Sequence, residues 1–204
     1  MHKVSFEMKR QSVYHIFSNI PQLETDRLIL RRLGQRDADD MYDYAHRDDV
    51  TRHLTWDPHP NVSYTREYLA YVSEHYRAGD FFDWAVVDRE SERMIGTCGF
   101  TRFHYETDCA EIGYVIHPAY WGRGIASEAV EAVIRFGFQR LDLNRIEAKF
   151  MEGNLASRRV MEKNGMVYEG MMRQSMYIKG EYRNVGICAI LRGDFYSWNG
   201  NPTR

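Results

Sequence analysis

The turn Trp121-Gly122-Arg123-Gly124-Ile125 is the stretch of this sequence best suited to hold a ligand. An apolar run ends at Pro118, and two glycines then open a long amphipathic segment, so the stretch reads as strand, turn and helix N-terminus. Such a turn presents unpaired backbone N–H groups at the positive end of a helix dipole, which suits a phosphate. Three phosphate loops compete. A nucleoside-triphosphate loop needs Gly-Lys-Ser/Thr, so that an ammonium meets the terminal phosphates. Here Ile125 follows Gly124, and that reading fails. A dinucleotide fingerprint would use Gly122, Gly124 and Ser127, with a ribose-binding acid about 20 residues on. Glu147 is in range but early in its strand, and the unit sits mid-chain behind an antiparallel meander. The third reading needs residues beyond the turn.

Other chemistries find less support. Cys98, Cys109 and Cys188 are odd in number, far apart and set in apolar runs, so reduced core thiols and a reducing compartment are expected. No His/Cys/Asp/Glu group has metal-ligand spacing, so no metal is implied. Lys+Arg 27 against Asp+Glu 29 gives a net charge of −2, which argues against direct nucleic-acid binding. The longest apolar run, residues 186–191, is too short for a bilayer. The first twenty residues carry Lys3, Glu7, Lys9 and Arg10 without a cleavage site, so a cytoplasmic protein without membrane association is expected.

The elements that must position the turn follow from periodicity. Residues 1–22 form an N-terminal arm or leading helix closed by Pro21, and 23–33 read as one strand broken by Gly34. Asp37 is the expected N-cap of an acidic helix to about Ala45; 51–62 is loop, and Ser63 or Thr65 caps a second helix that ends at Gly79. Runs 82–88, 94–103 and 110–116 form an antiparallel meander. The helix from Gly124 to Arg140 buries Ala126, Ala129, Val130, Val133 and Gly137, and 144–151 is a strand, which makes a right-handed βαβ unit with parallel flanking strands. A short helix at 155–163, with Asn154 as N-cap and Gly165 as C′ residue, precedes two final strands, 166–178 and 182–195. The expectation is a single mixed α/β domain over 23–198 with a mostly antiparallel twisted sheet and flanking helices, followed by a tail at 199–204. With 204 residues it can fill one core.

Val115-Ile116-His117-Pro118 followed by Trp121-Gly122-Arg123-Gly124-Ile125-Ala126 resembles the Gln/Arg-x-x-Gly-x-Gly/Ala pattern of the GNAT acetyltransferases. Asn154 before a short helix closed by Gly165 resembles that family's second motif. The Leu23-Glu24-Thr25-Asp26-Arg27-Leu28 opening and the Glu111-Ile112-Gly113-Tyr114 strand resemble the branch that acetylates N-termini of ribosomal proteins. The likeness covers residues 23 to about 198. It implies acetyl-CoA as cosubstrate, with Val115 and Ile116 on the pantetheine arm. Trp121, Gly122, Arg123, Gly124, Ile125, Ala126 and Ser127 would hold the pyrophosphate, and Asn154 would hydrogen-bond the cofactor. Trp121 stands where the family has Gln or Arg, a departure of small consequence if the contact is through backbone.

The reaction so implied is attack of a neutral amine on a thioester, which needs a proton acceptor, an oxyanion donor and an acid for the thiolate. A backbone N–H in 114–116 can serve the oxyanion. The family's tyrosine seven residues after the asparagine is here Met161, and its glutamate five before is here Lys149. Ser157 therefore stands as acid, as the ribosomal branch implies, and Glu111 as base, directly or through water. His53, Trp56, His104 and Tyr105 could line the acceptor side, without assigned roles. An α-amine, with a pKa of about 8, needs a weaker base than a lysine near 10.4, which favours a protein N-terminus as acceptor. A small amine (polyamine, amino acid or aminoglycoside) drawn by Asp37, Asp39, Asp40 and Asp43 is the alternative, and a non-catalytic acyl-CoA sensor a third. The last two strands could pair two copies into a homodimer.

Overall fold

The computed structural model describes residues 2–199; Met1 and residues 200–204 of the expected tail lie outside the described residues. One eight-stranded sheet runs β1 (Leu23–Glu24), β2 (Leu28–Arg31), β3 (Asp83–Asp88), β4 (Met94–His104), β5 (Cys109–Ile116), β6 (Arg145–Met151), β8 (Glu181–Leu191) and β7 (Val167–Ile178). Every neighbouring pair is antiparallel except β5 with β6. These two flank α5 (Ile125–Arg140), so the expected βαβ unit is present. The class is mixed α/β. No described helix is long and apolar enough to cross a membrane.

The first strand divides at a tight turn, where the Thr25 amide donates to the Leu28 carbonyl at 3.0 Å. Thr25, Asp26 and Arg27 are polar, and two of them are drawn toward α5, so the chain folds back as β1 and β2. Asp37 does not cap α2 (Ala38–Ala45) with its side chain; its carboxylate accepts from the Gly34 amide at 2.9 Å and pairs with Arg31 at 2.6 Å. Asn61 caps α4 (Val62–Ala78), accepting from the Tyr64 amide at 2.9 Å, while Thr65 lies inside the helix against His59. The last strand stops at Leu191, where Asp194 takes the Leu191 amide, and α7 (Arg192–Asn199) packs Phe195 on Phe138.

The leading segment is α1 (His2–Ser18), and its C-terminal part is core. Val13, Phe17 and Ile20 are buried, and the Phe17 ring meets Phe82, Trp84, Phe100, Phe103 and Phe136 at centroid distances of 5.0–6.3 Å. Trp84 donates its indole N–H to the Pro21 carbonyl at 2.7 Å. α1 and α5 thus cover one face of β3 and β4. Phe17→Ala is expected to lower unfolding stability by about 3–5 kcal/mol, a large-to-small change in a closed aromatic cluster; urea denaturation checks it, and an unchanged midpoint would deny α1 a core role.

Candidate active site

Strand β5 leads through a single 3-10 turn, Pro118–Tyr120, into the glycine turn. The Trp121 indole N–H donates to the Ile116 carbonyl at 2.7 Å, latching the turn to the strand that precedes it. Gly122 and Gly124 have φ of 71° and 80°, a left-handed conformation disfavoured for side chains with a Cβ. Among the described residues the amides from Gly122 to Ser127 find no backbone partner; Glu128 is the first to bond, to the Gly124 carbonyl at 3.1 Å. Six successive donors therefore stand open at the N-terminus of α5, the arrangement that binds a diphosphate without ordering long side chains. The Arg123 guanidinium sits over the Tyr120 ring at 5.1 Å.

The turn is held from outside. Arg27 donates to the Arg123 carbonyl at 2.9 Å and to Glu128 at 2.7 Å, and Thr25 adds a hydroxyl to Glu128 at 2.5 Å. Burial pushes the Glu128 carboxyl up, but these hydrogen bonds outweigh it and leave the group below the ordinary glutamate range.

Beside this turn the sheet forks. β5 and β6 pair from Cys109↔Arg145 to Ile112↔Ala148 and then part, β6 continuing on β8 to Met151↔Val185. Residues 113–116 keep their ladder to β4 but have an empty edge where β6 would be. An extended amide-bearing arm can add there as a strand does. At the fork lies a cavity of about 260 Å³, with Glu111, Val115, Asn154 and Ser157 in its wall and residues 53–56 over its mouth.

Two faces of the sheet meet through the fork. Trp84, Cys98 and Tyr114 pair in one row across β3, β4 and β5, and the adjacent rows Ala85, Thr97, Val115 and Asp83, Gly99, Gly113 face the opposite way. On the first face, Tyr114 reaches α6 (Leu155–Lys163): its hydroxyl lies 2.9 Å from the Ser157 carbonyl and 2.8 Å from Ser157 Oγ. Burial raises the Tyr114 pKa, so the phenol stays a proton donor. Asn154 accepts from the Ser157 amide at 3.1 Å, fixing the start of α6.

The structure gathers Glu111, Val115, Asn154 and Ser157 around one cavity and sets residues 121–127 at the end of the same open edge. Ile116 turns its side chain into the core, and its carbonyl is taken by Trp121. Glu111 accepts from Lys149 Nζ at 2.5 Å, so this strand carboxylate is paired with a lysine. Of the acceptor-side candidates, His53 and Trp56 line the cavity, whereas His104 and Tyr105 lie outside it, Tyr105 stacked on Phe103. Met161 is buried core. Sequence reading missed Tyr114, which supplies from β5 a phenol that the helix position at Met161 lacks. It also missed Asp83, half a sheet away in the chain yet in the cavity wall. The cysteines are free and buried, and burial pushes the Cys109 thiol up to about 11.

Residues 27–167 match the model of the acetyltransferase (GNAT) domain, and the chain belongs to that family. It is 34% identical over 173 residues to an uncharacterized N-acetyltransferase, p20, of Bacillus licheniformis, covering 85% of this chain and 97% of that one. It is 28% identical over 192 residues to the [ribosomal protein uS5]-alanine N-acetyltransferase of Escherichia coli, covering 87% and 95%. A spermidine N-acetyltransferase from Vibrio cholerae, solved with CoA and spermine, shares the fold with a TM-score of 0.70 at 21% identity over 84% and 99% of the two chains. The protein is an N-acetyltransferase using acetyl-CoA, and the open amides and empty strand edge fit that cosubstrate. Gly124→Val places a β-branched residue at positive φ, a strain of about 1–2 kcal/mol, and turns the turn's amides away from a common ligand. Calorimetry with CoA is expected to read at least a hundredfold loss of affinity, while Arg123→Ala loses only a few-fold.

Proposed function

We propose that the acceptor is the α-amine of a protein N-terminus, such as that of a ribosomal protein. One observation carries this reading against a polyamine or aminoglycoside. The acidic segment that would attract a polycation is largely committed to arginines: Asp37 pairs with Arg31, Asp39 with Arg66, and Asp40 and Asp43 share Arg93. What remains at the cavity is suited to one ammonium rather than several. The uS5-alanine acetyltransferase among the relatives supports the same choice.

In this reading the pantetheine arm lies along residues 113–116, where a strand N–H polarises the thioester carbonyl. Ser157 delivers a proton to the departing sulfur. When the Tyr114 phenol donates to Ser157 Oγ, the serine proton is free to point at the thiolate, so the two hydroxyls act as a relay. Glu111, tied to Lys149, stands in the cavity wall where it can orient the incoming amine. Asn154, with its oxygen committed to the cap of α6, keeps its amide protons for the cofactor. This donor pair favours turnover over a sensor that merely binds acyl-CoA.

A panel of peptides with free or blocked N-termini, set against spermidine, lysine and an aminoglycoside, tests the acceptor. Free N-termini should be acetylated with a kcat/KM at least tenfold above any small amine, and a small amine in first place would overturn the proposal. Ser157→Ala is expected to lower kcat by about 10²-fold, the range of general-acid contributions, with acetyl-CoA affinity changed by less than threefold.

A further inference from the structure

The mechanism above leaves one acid of the cavity wall unused. Asp83 opens β3 in the row with Gly99 and Gly113, on the face of the sheet opposite Tyr114 and Ser157. A Cβ on Gly99 would meet the Phe82 carbonyl and Asp83 Cα before reaching Asp83 Oδ1 at 2.7 Å, so the glycine there lets β3 and its carboxyl lie close against β4. Oδ1 is enclosed and has no hydrogen-bond partner among the described residues. The residue as a whole is only half-buried, and it forms part of the wall of the cavity at the fork.

Its surroundings contain nothing that neutralises it. From α2 comes Tyr44, from α4 come Tyr68 and Tyr76, and from β4 comes Cys98, all held protonated by burial. Tyr76 donates its hydroxyl to the Asp83 carbonyl rather than to the carboxyl. Across the cavity stand His53, Glu111 and Lys149, and Lys149 is committed to Glu111. A carboxylate enclosed without a cation is costly, and proteins retain one where a ligand completes it.

We propose that Asp83 receives the acceptor's ammonium on the face of the fork opposite the thioester and takes its proton. The inference rests on the acetyl-transfer reading and specifies its acceptor side. Two protons leave the nitrogen over the reaction. The first passes to Asp83 and then to solvent, and the freed lone pair forms the C–N bond at the carbonyl carbon. The C–S bond breaks, and the second proton replaces the one Ser157 gives to the sulfur. Glu111, tied to Lys149, is then a positioning residue at the mouth.

The acid is well matched to the task. Burial raises the Asp83 carboxyl to about 7, against the hydrogen bonds from the Thr97 hydroxyl and the Trp84 amide that favour its charged form. An α-amine has a pKa of about 8, so the proton moves with little loss of driving force.

Two measurements test this, one independent of turnover. In full-length protein carrying 13C-carboxyl aspartate and bound CoA, one resonance absent from Asp83→Asn should titrate near 7 and shift with ethylammonium. Titration in the ordinary aspartate range, or indifference to ethylammonium, overturns the proposal even if no acceptor has been found. With an alanine-initiated peptide, kcat/KM should rise with pH through about 7 in the wild type and in Glu111→Gln. In Asp83→Asn that rise should move up to the amine's own ionisation near 8, and the value at pH 6.5 should fall by about 10²-fold. Thr97→Val removes a hydrogen bond to the charged form and should move the rise upward without unfolding the site. An unshifted profile in both variants, with CoA affinity intact, makes Asp83 merely structural. A peptide that the wild type never acetylates counts against the N-terminal acceptor, and the resonance then decides Asp83 alone.

Discussion

Between residues 113 and 116, strand β5 keeps its ladder to β4 while its other edge has lost β6, which leaves after Ala148 to stay with β8. An unpaired edge in the middle of a sheet is a liability in most proteins, because amides and carbonyls there seek a partner. Here the flanking elements keep another strand from filling it. α6 begins at Asn154 on one side of the gap, and residues 53–56 arch over the other. The turn at Gly122 and Gly124 follows, so a ligand that enters the edge carries its phosphates to the open amides.

Because the gap passes through the sheet, it divides the chemistry between two faces. Hydroxyls from Tyr114 and Ser157 collect on the side covered by α5 and α6, where a sulfur must be protonated. The carboxyls of Asp83 and Glu111 lie on the opposite side, the one proposed to receive the amine. The alternation of side chains along β3, β4 and β5 is enough to produce this separation, since neighbouring residues such as Asp83 and Trp84 must point to opposite faces. Elsewhere on the sheet charges pair locally, as Arg145 does with Glu169 and Glu147.

The parts legible in the sequence were those encoded locally. The glycine turn, the long amphipathic helix after it and the asparagine cap of α6 depend on residues within a turn or two of each other, and each stands as read. The parts that were not legible depend on distant partners. Polar Thr25 and Arg27 look like the outward positions of a strand until Glu128 is placed beside them. α1 has weak periodicity because only its last turns reach the core, through Val13 and Phe17, with Ile20 buried just beyond its end. Tyr114 and Asp83 carry no local mark of function. An alternating strand tyrosine and an acid at a strand entrance are ordinary until the fork brings them to one cavity.

The clamp on the glycine turn also has a kinetic meaning. Arg27 and Thr25 reach Glu128 and Arg123 at sequence separations of 96–103, so the conformation of the anion-binding turn is fixed by contacts between distant parts of the chain. Loop-closure entropy delays such contacts until much of the sheet between them has formed. The turn therefore matures late, after β3, β4 and β5 have assembled. The anion-binding shape is thus a property of the assembled sheet rather than of the turn's own residues.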